Sequence, residues 1–189
     1  MITLLPAPRA SPRFVSESLA STATNTSHNS ARDHISFSAI STYQRCSLRY
    51  FFKYIAGLPE ETVSASFVFG RAIHNAIEFH FTELMAGNNP PDLDTLLAEF
   101  NAGWDEQPPE QIQYPKTDSR DSLARLADRM LQAFRASDVA QPRGRVIGIE
   151  EELRGKVVEG TPDVLARLDL LVQVADGLRV TDFKTAKNA

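Results

Sequence analysis

Two aliphatic and β-branched runs, residues 164–174 and 178–185, flank Asp176-Gly177, and that junction limits the fold more than any other stretch of the chain. Asp-Gly between strand-like runs signals a two-residue hairpin loop. With Asp176 and Gly177 as the loop, the ladder pairs Asp169 with Lys184 and Leu171 with Asp182. Side chains alternate faces along a strand, so Asp169, Asp182 and Lys184 then project from one side. Diagonal neighbours on a face lie about 7–8 Å apart, close enough for two carboxylates to converge on one cation. Two carboxylates and a lysine so placed suit metal-dependent phosphodiester cleavage. The ordinary alternative is a solvated cross-strand ion pair, worth a few tenths of a kcal/mol. Leu171, Leu178 and Val180 share the charged face and favour a cleft over open solvent.

Upstream, the periodicity is helical. Ser36 as N-cap opens a helix expected to run to about residue 56, where Gly57 and Pro59 close it. Arg45, Arg49 and Lys53 recur at i, i+4 and i+8 and put three cations on one face of it. They read either as a solvated face or as a stripe that tracks a phosphate backbone beside aromatic rings. Residues 65–86 form a second helix, ended by Gly87-Asn88-Asn89-Pro90-Pro91. Gly70 inside it costs about 1 kcal/mol relative to alanine, which points to a close approach there. His74 and Glu78 lie one turn apart, and a lone helical histidine is more often a packing residue than a ligand. A zinc site of His74, Glu78 and His80 is a weaker reading, because positions 74 and 80 lie on different helix faces. Residues 93–104 and 121–134 give two further helices around a proline-bearing loop, and strands follow over 146–153, 164–174 and 178–185. Helices first and antiparallel strands afterwards indicate an α+β fold, or a mixed sheet flanked by helices.

At 189 residues, 42% hydrophobic and 23% charged, the chain is long enough for one domain with a real core. A net charge of −4 gives no global basic field, so any nucleic-acid contact needs a local patch. One cysteine excludes an internal disulfide, and no apolar run approaches the roughly 20 residues of a membrane span. A reducing cytoplasm is the simplest compartment. Residues 1–33 are rich in Ser, Ala, Thr, Pro and Asn, with acid only at Glu17 and Asp33, and read as a disordered leader. A transit peptide is the competing idea, from Arg9 and Arg13 among serines, but Pro6, Pro8 and Pro12 oppose an amphipathic helix there.

Taken in order, these pieces resemble the PD-(D/E)XK nuclease superfamily in its RecB-like branch, which includes exonuclease domains of recombination helicase complexes and CRISPR-associated exonucleases. Ile35-Ser36-Phe37-Ser38 followed by Tyr43-Gln44-Arg45-Cys46 resembles the opening helix, with Ser47 where a proline is usual. Gly70 to His74 is similar to the Gly-x-x-x-His element, and Arg167-Leu168-Asp169 to the strand of the first catalytic aspartate, with Ala166 where glycine is common. Val180-Thr181-Asp182-Phe183-Lys184-Thr185 is similar to the Asp-x-Lys-Thr element. Pro162-Asp163 mimics the superfamily's name, but Asp169 fits the hairpin register and the usual interval to Asp-x-Lys.

The resemblance implies a restriction-endonuclease-like mixed sheet flanked by helices over residues 34–189. It implies hydrolysis of DNA, as an exonuclease, with Mg²⁺ or Mn²⁺ held by His74, Asp169, Asp182 and the carbonyl of Phe183. Asp169, Asp182 and Lys184 are its catalytic residues, and Arg45, Arg49 and Lys53 its contacts to DNA. Single strands or duplex ends are the implied substrates, a helicase or another repair or CRISPR protein the implied partner. Some relatives hold an iron–sulfur cluster on four cysteines, and Cys46 alone cannot. The chain stops five residues after Lys184, before the downstream Gln-x-x-x-Tyr helix, which predicts a truncated domain. The alternative is therefore an inactive remnant that binds DNA or a partner protein.

Overall fold

The computed structural model describes residues 34–185, and these begin with a three-residue strand, β1 (His34–Ser36). The leader expected over residues 1–33 lies outside the described residues. Ser36 caps helix α1 (Phe37–Arg45), its Oγ accepting from the Ala39 amide at 3.3 Å. The single helix expected to residue 56 is broken. Cys46 is extended (φ −162°, ψ 106°), and beyond it come a short helix, α2 (Ser47–Tyr50), and a π-helical turn (Phe51–Ile55). The break costs little because the Cys46 sulfur accepts from the Arg49 amide at 3.4 Å and restarts the helix. It also removes the continuous i, i+4, i+8 face on which Arg45, Arg49 and Lys53 were expected to align. Arg49 and Lys53 instead both reach Glu60, at 3.5 and 3.0 Å.

After a two-residue strand, β2 (Val63–Ser64), the long helix α3 (Ala65–Met85) starts on the Ser64 cap and organises the core. Val68, Phe69, Ala72, Ile73, Ala76, Ile77 and Phe81 recur at helical spacing and are all buried. Alanines at 72 and 76 let neighbouring elements come close, while Phe69 and Phe81 supply apolar area, about 1.5–3 kcal/mol for each such side chain buried. Helix α4 (Leu93–Asp105) begins on Asp92, packs Leu96, Phe100 and Trp104 inward, and is followed by β3 (Ile112–Gln113), which pairs with β2. A reciprocal Ser119–Ser122 cap opens α5 (Arg120–Arg135), which buries Leu123, Ala127 and Leu131.

The main sheet is built on β5 (Asp163–Val174). Strand β4 (Arg145–Gly155) runs antiparallel along one edge. The other edge is shared: β1 pairs in parallel with residues 163–165, and β6 (Gly177–Thr181) pairs antiparallel with residues 170–174. The short parallel β1 makes the sheet mixed, as in a restriction-endonuclease-like α+β fold. It also leaves residues 166–169 of that edge without a strand partner, and Asp169 stands at the end of this gap. Val146, Leu170 and Val172 join the helical side chains in one core. No helix among the described residues is long and apolar enough to cross a membrane.

Candidate metal centre

Three elements converge on one spot: His74 from the middle of α3, Asp169 from β5, and Glu150 from β4. His74 Nδ1 lies 3.7 Å from Glu150 Oε1 and 3.8 Å from Asp169 Oδ1, and one donor atom from each residue falls within 4.8 Å of the other two. The second carboxylate oxygens are used elsewhere. Asp169 Oδ2 accepts the Phe183 N–H at 2.5 Å, and Glu150 Oε2 faces Arg167 Nη1 at 3.7 Å. The side chains are 28%, 20% and 11% exposed for His74, Glu150 and Asp169, so the centre is open on one side and low in dielectric on the other. Glu150 holds φ at +51°, the only positive φ outside glycine among the described residues. A left-handed glutamate costs on the order of 1 kcal/mol, and such strain concentrates at functional sites.

Sequence reading missed Glu150. It is the first of three consecutive glutamates, a run that reads as an ordinary solvated strand end. The ladder places it between the Ile149–Leu170 and Glu151–Leu168 pairs, hence across from Asp169. Burial, then the negative Asp169 and Glu78, push the Glu150 carboxyl above its ordinary range, against the pull of His74 and Arg167. Two carboxylates held together in a half-buried pocket with an imidazole are a donor set that suits a divalent cation.

That raised pKa has a consequence for stability. The folded chain holds the Glu150 proton more tightly than the unfolded chain, whose ordinary value is 4.5. Below that pH both states are protonated and stability is complete; as pH climbs through the raised folded value, stability is lost. Metal-free protein should therefore melt at progressively lower temperature than the Glu150→Gln variant as pH rises from 4.5 toward neutrality. Parallel melting curves of the two across that range would refute the placement of Glu150.

The hairpin differs from expectation by a shift of two residues. Val174 pairs with Gly177 and Leu170 with Thr181, so Ala175 and Asp176 form the loop. Neither takes the positive φ that an Asp-Gly loop of the primed type demands; Gly177 takes it instead, at +153°. A shift of two preserves faces, and it brings Asp182 rather than Lys184 opposite Asp169 as the strand leaves the ladder. Asp182, Phe183 and Lys184 line a cavity of about 620 Å³ together with His74 and Asp169. The Asp182 carboxylate is not part of the three-residue cluster; it is exposed and bonds Lys184 Nζ at 2.8 Å. The Phe183 ring turns into the core, stacked on Phe81 at 6.0 Å. Leu178 and Val180, expected to share a cleft with the charges, are exposed. Gly70 meets the same segment: a Cβ there would sit 3.0 Å from Thr185 Oγ1, which accounts for glycine inside α3.

The zinc reading fails on geometry. His80 is buried between the rings of Phe81 and Phe134, with Nε2 2.8 Å from the Ala140 carbonyl, and takes no part in the cluster around His74. Its burial also pushes its pKa down, as for a packing histidine kept neutral.

A mixed sheet with flanking helices that gathers an imidazole and two carboxylates beside an Asp-x-Lys segment has the form of a restriction-endonuclease-like nuclease domain. Residues 34–189 match the family model of the PD-(D/E)XK nuclease superfamily, and the chain belongs to that superfamily. Searches of curated proteins and of solved structures return no match.

Proposed function

We propose that the chain is a RecB-like, divalent-metal-dependent deoxyribonuclease acting as an exonuclease. The observation that carries the metal-dependent reading is the convergence of His74, Glu150 and Asp169 on one point, beside a cavity that His74 and Asp169 line together with Lys184. The branch and the exonucleolytic mode rest on the motifs: Gly70 to His74, Arg167 to Asp169, and Asp182-Phe183-Lys184-Thr185. His74 Nδ1, Glu150 Oε1 and Asp169 Oδ1 would hold the cation, and Asp182 and Phe183 line the adjoining cavity, where the Phe183 carbonyl would be a further ligand. A bound Mg²⁺ or Mn²⁺ supplies Lewis-acid polarisation of the phosphate and acidifies a water it coordinates.

The protein's own groups do the rest. The Phe183 N–H fixes Asp169 Oδ2 and so turns Oδ1 toward the cation position. Lys184, a compact point charge kept near by Asp182, orients the attacking water and offsets charge developing on the phosphate. Arg45, Arg49 and Lys53 contact the DNA backbone from the opening helices, where Tyr43 and Phe51 are exposed as stacking surfaces. Glu60 competes with phosphate for Arg49 and Lys53.

Labelled DNA should be degraded in Mg²⁺ or Mn²⁺ and not in EDTA, and both Asp182→Ala and Lys184→Ala should lose that activity. Activity persisting in both variants rejects the assignment. The exposed Asp182–Lys184 pair, outside the ligand cluster, favours a second reading: a domain that binds DNA or a partner protein without cutting it. Tight Mn²⁺ binding by calorimetry separates the two, because the non-cutting domain should show none.

A further inference from the structure

The metal centre has a second approach. A groove of about 520 Å³ shares Ser66, His74, Asp169 and Thr185 with the cavity that holds Lys184, so the two meet at the His74–Asp169 pair. Lys184 does not line this groove; Arg71 and Arg167 do, and they are its cations. Their placement follows from periodicity. Arg71 precedes His74 by three residues on α3 and shares its face, and Arg167 precedes Asp169 by two on β5 and shares that face.

Glu78, Glu150 and Asp169 also border the groove, and a polyanion meets repulsion from all three. On a chain of net charge −4, the field that offsets them has to be local. Both guanidinium groups have donors to spare. Arg71 touches Glu106 at 3.0 Å and the Gly103 carbonyl at 3.5 Å through Nη2 alone. Its Nε is walled off from solvent, so the head is presented by its terminal nitrogens. Arg167 touches Glu150 through Nη1 at 3.7 Å, longer than a hydrogen bond, and its side chain is 64% exposed. A guanidinium carries five N–H donors in a fork that fits phosphate oxygens.

We propose that Arg71 and Arg167 grip the phosphate next to the scissile one, so that the strand crosses the metal centre from this groove toward Lys184. The assignment rests on the nuclease reading above and names the residues that seat its substrate. The competing role for each arginine is that of a counter-ion, to Glu106 and to Glu150.

The test is binding of a labelled oligodeoxythymidylate in EDTA, read by fluorescence anisotropy across a salt titration. Arg71→Ala and Arg167→Ala should each weaken binding about three- to tenfold and reduce the slope of log K against log salt by about 0.7, the value for one single-strand phosphate contact. Arg167→Lys should restore most of the slope, which a purely structural role does not require. Arg143→Ala, an exposed arginine in the loop before β4, should change neither quantity. If Arg71→Ala melts early through loss of the Glu106 contact, Arg167→Ala and Arg167→Lys decide alone. Unchanged slopes in these variants, or an equal change in Arg143→Ala, overturn the proposal. Cleavage of the same oligonucleotide in Mn²⁺ judges the nuclease reading separately. Cleavage with arginine-independent binding removes only the arginine assignment, whereas arginine-dependent binding without cleavage supports the groove and removes the nuclease reading.

Discussion

Asp169→Asn should fold as the wild type does and lose metal-dependent cleavage by about a thousandfold or more. Asp169 is the least exposed of the three clustered side chains and stands where the two approaches to the candidate site meet. Its two oxygens have separate work: Oδ2 takes the Phe183 N–H, and Oδ1 faces His74. An asparagine keeps a carbonyl oxygen for the Phe183 amide and removes the charge that would hold a cation. Stability should change little, because the lost charge also relieves the repulsion that Asp169 imposes on Glu150. A metal Lewis acid supplies several kcal/mol of transition-state stabilisation, and about 1.36 kcal/mol is a factor of ten in rate. Asp169→Ala differs in a way that can be measured. It strands the Phe183 amide, a loss of about 1–3 kcal/mol when a part-buried donor goes unpaired, so it should melt earlier than the asparagine variant. More than a tenth of wild-type activity in Asp169→Asn, with Mn²⁺ affinity unchanged in calorimetry, would show that the cation sits elsewhere.

The sequence carries the helices well and the site in part. The expected helix over 65–86 is found at Ala65–Met85, that over 93–104 at Leu93–Asp105, and that over 121–134 at Arg120–Arg135. Each is long, strongly periodic and bounded by a capping side chain, Ser64, Asp92 or Ser119, so local physics alone sets its limits. The opening helix has no such signal at its break. Nothing in Arg45-Cys46-Ser47 forbids a helix, and the break shows only in the extended Cys46 and in the ring contacts of Tyr50, with Tyr43 across the break and with Tyr54 beyond it.

Strand β1 is hidden for a different reason. Three residues carry no period, and their partner, Asp163 to Leu165, lies far along the chain. Glu150 is the most instructive case. Alternation within Glu150-Glu151-Glu152 does not tell which carboxylate turns inward; the register shift between Val146 and Gly148 and the left-handed φ of Glu150 decide it. Both are tertiary facts. The hairpin, by contrast, was legible in kind and wrong in register, because glycine's freedom is spent just after the loop rather than inside it. The error was two residues, so the shared face of Asp169 and Asp182 survives it.

Phe81→Ala should produce the largest loss of stability, about 3–5 kcal/mol. Phe81 is fully buried, and its ring meets those of His80 at 5.1 Å, Phe134 at 5.9 Å and Phe183 at 6.0 Å. Truncation leaves a void among aromatic rings that cannot collapse without moving α3 against α5, so transfer and cavity terms both count. Domains of this size are held together by only about 5–15 kcal/mol, and the melting temperature should fall by about 10 °C. The loss reaches the metal centre through one residue. The Phe183 ring stacks on Phe81 while the Phe183 amide clamps Asp169, so a ring that loses its support loosens the carboxylate it positions. Phe81→Leu, which keeps most of the volume, should recover the greater part of the stability and, with it, the affinity for Mn²⁺. Urea denaturation and Mn²⁺ calorimetry on the same two variants check both statements. If Mn²⁺ affinity stays constant while stability drops by several kcal/mol, Phe183 does not couple the core to the site, and the Asp169 geometry is set by the sheet alone.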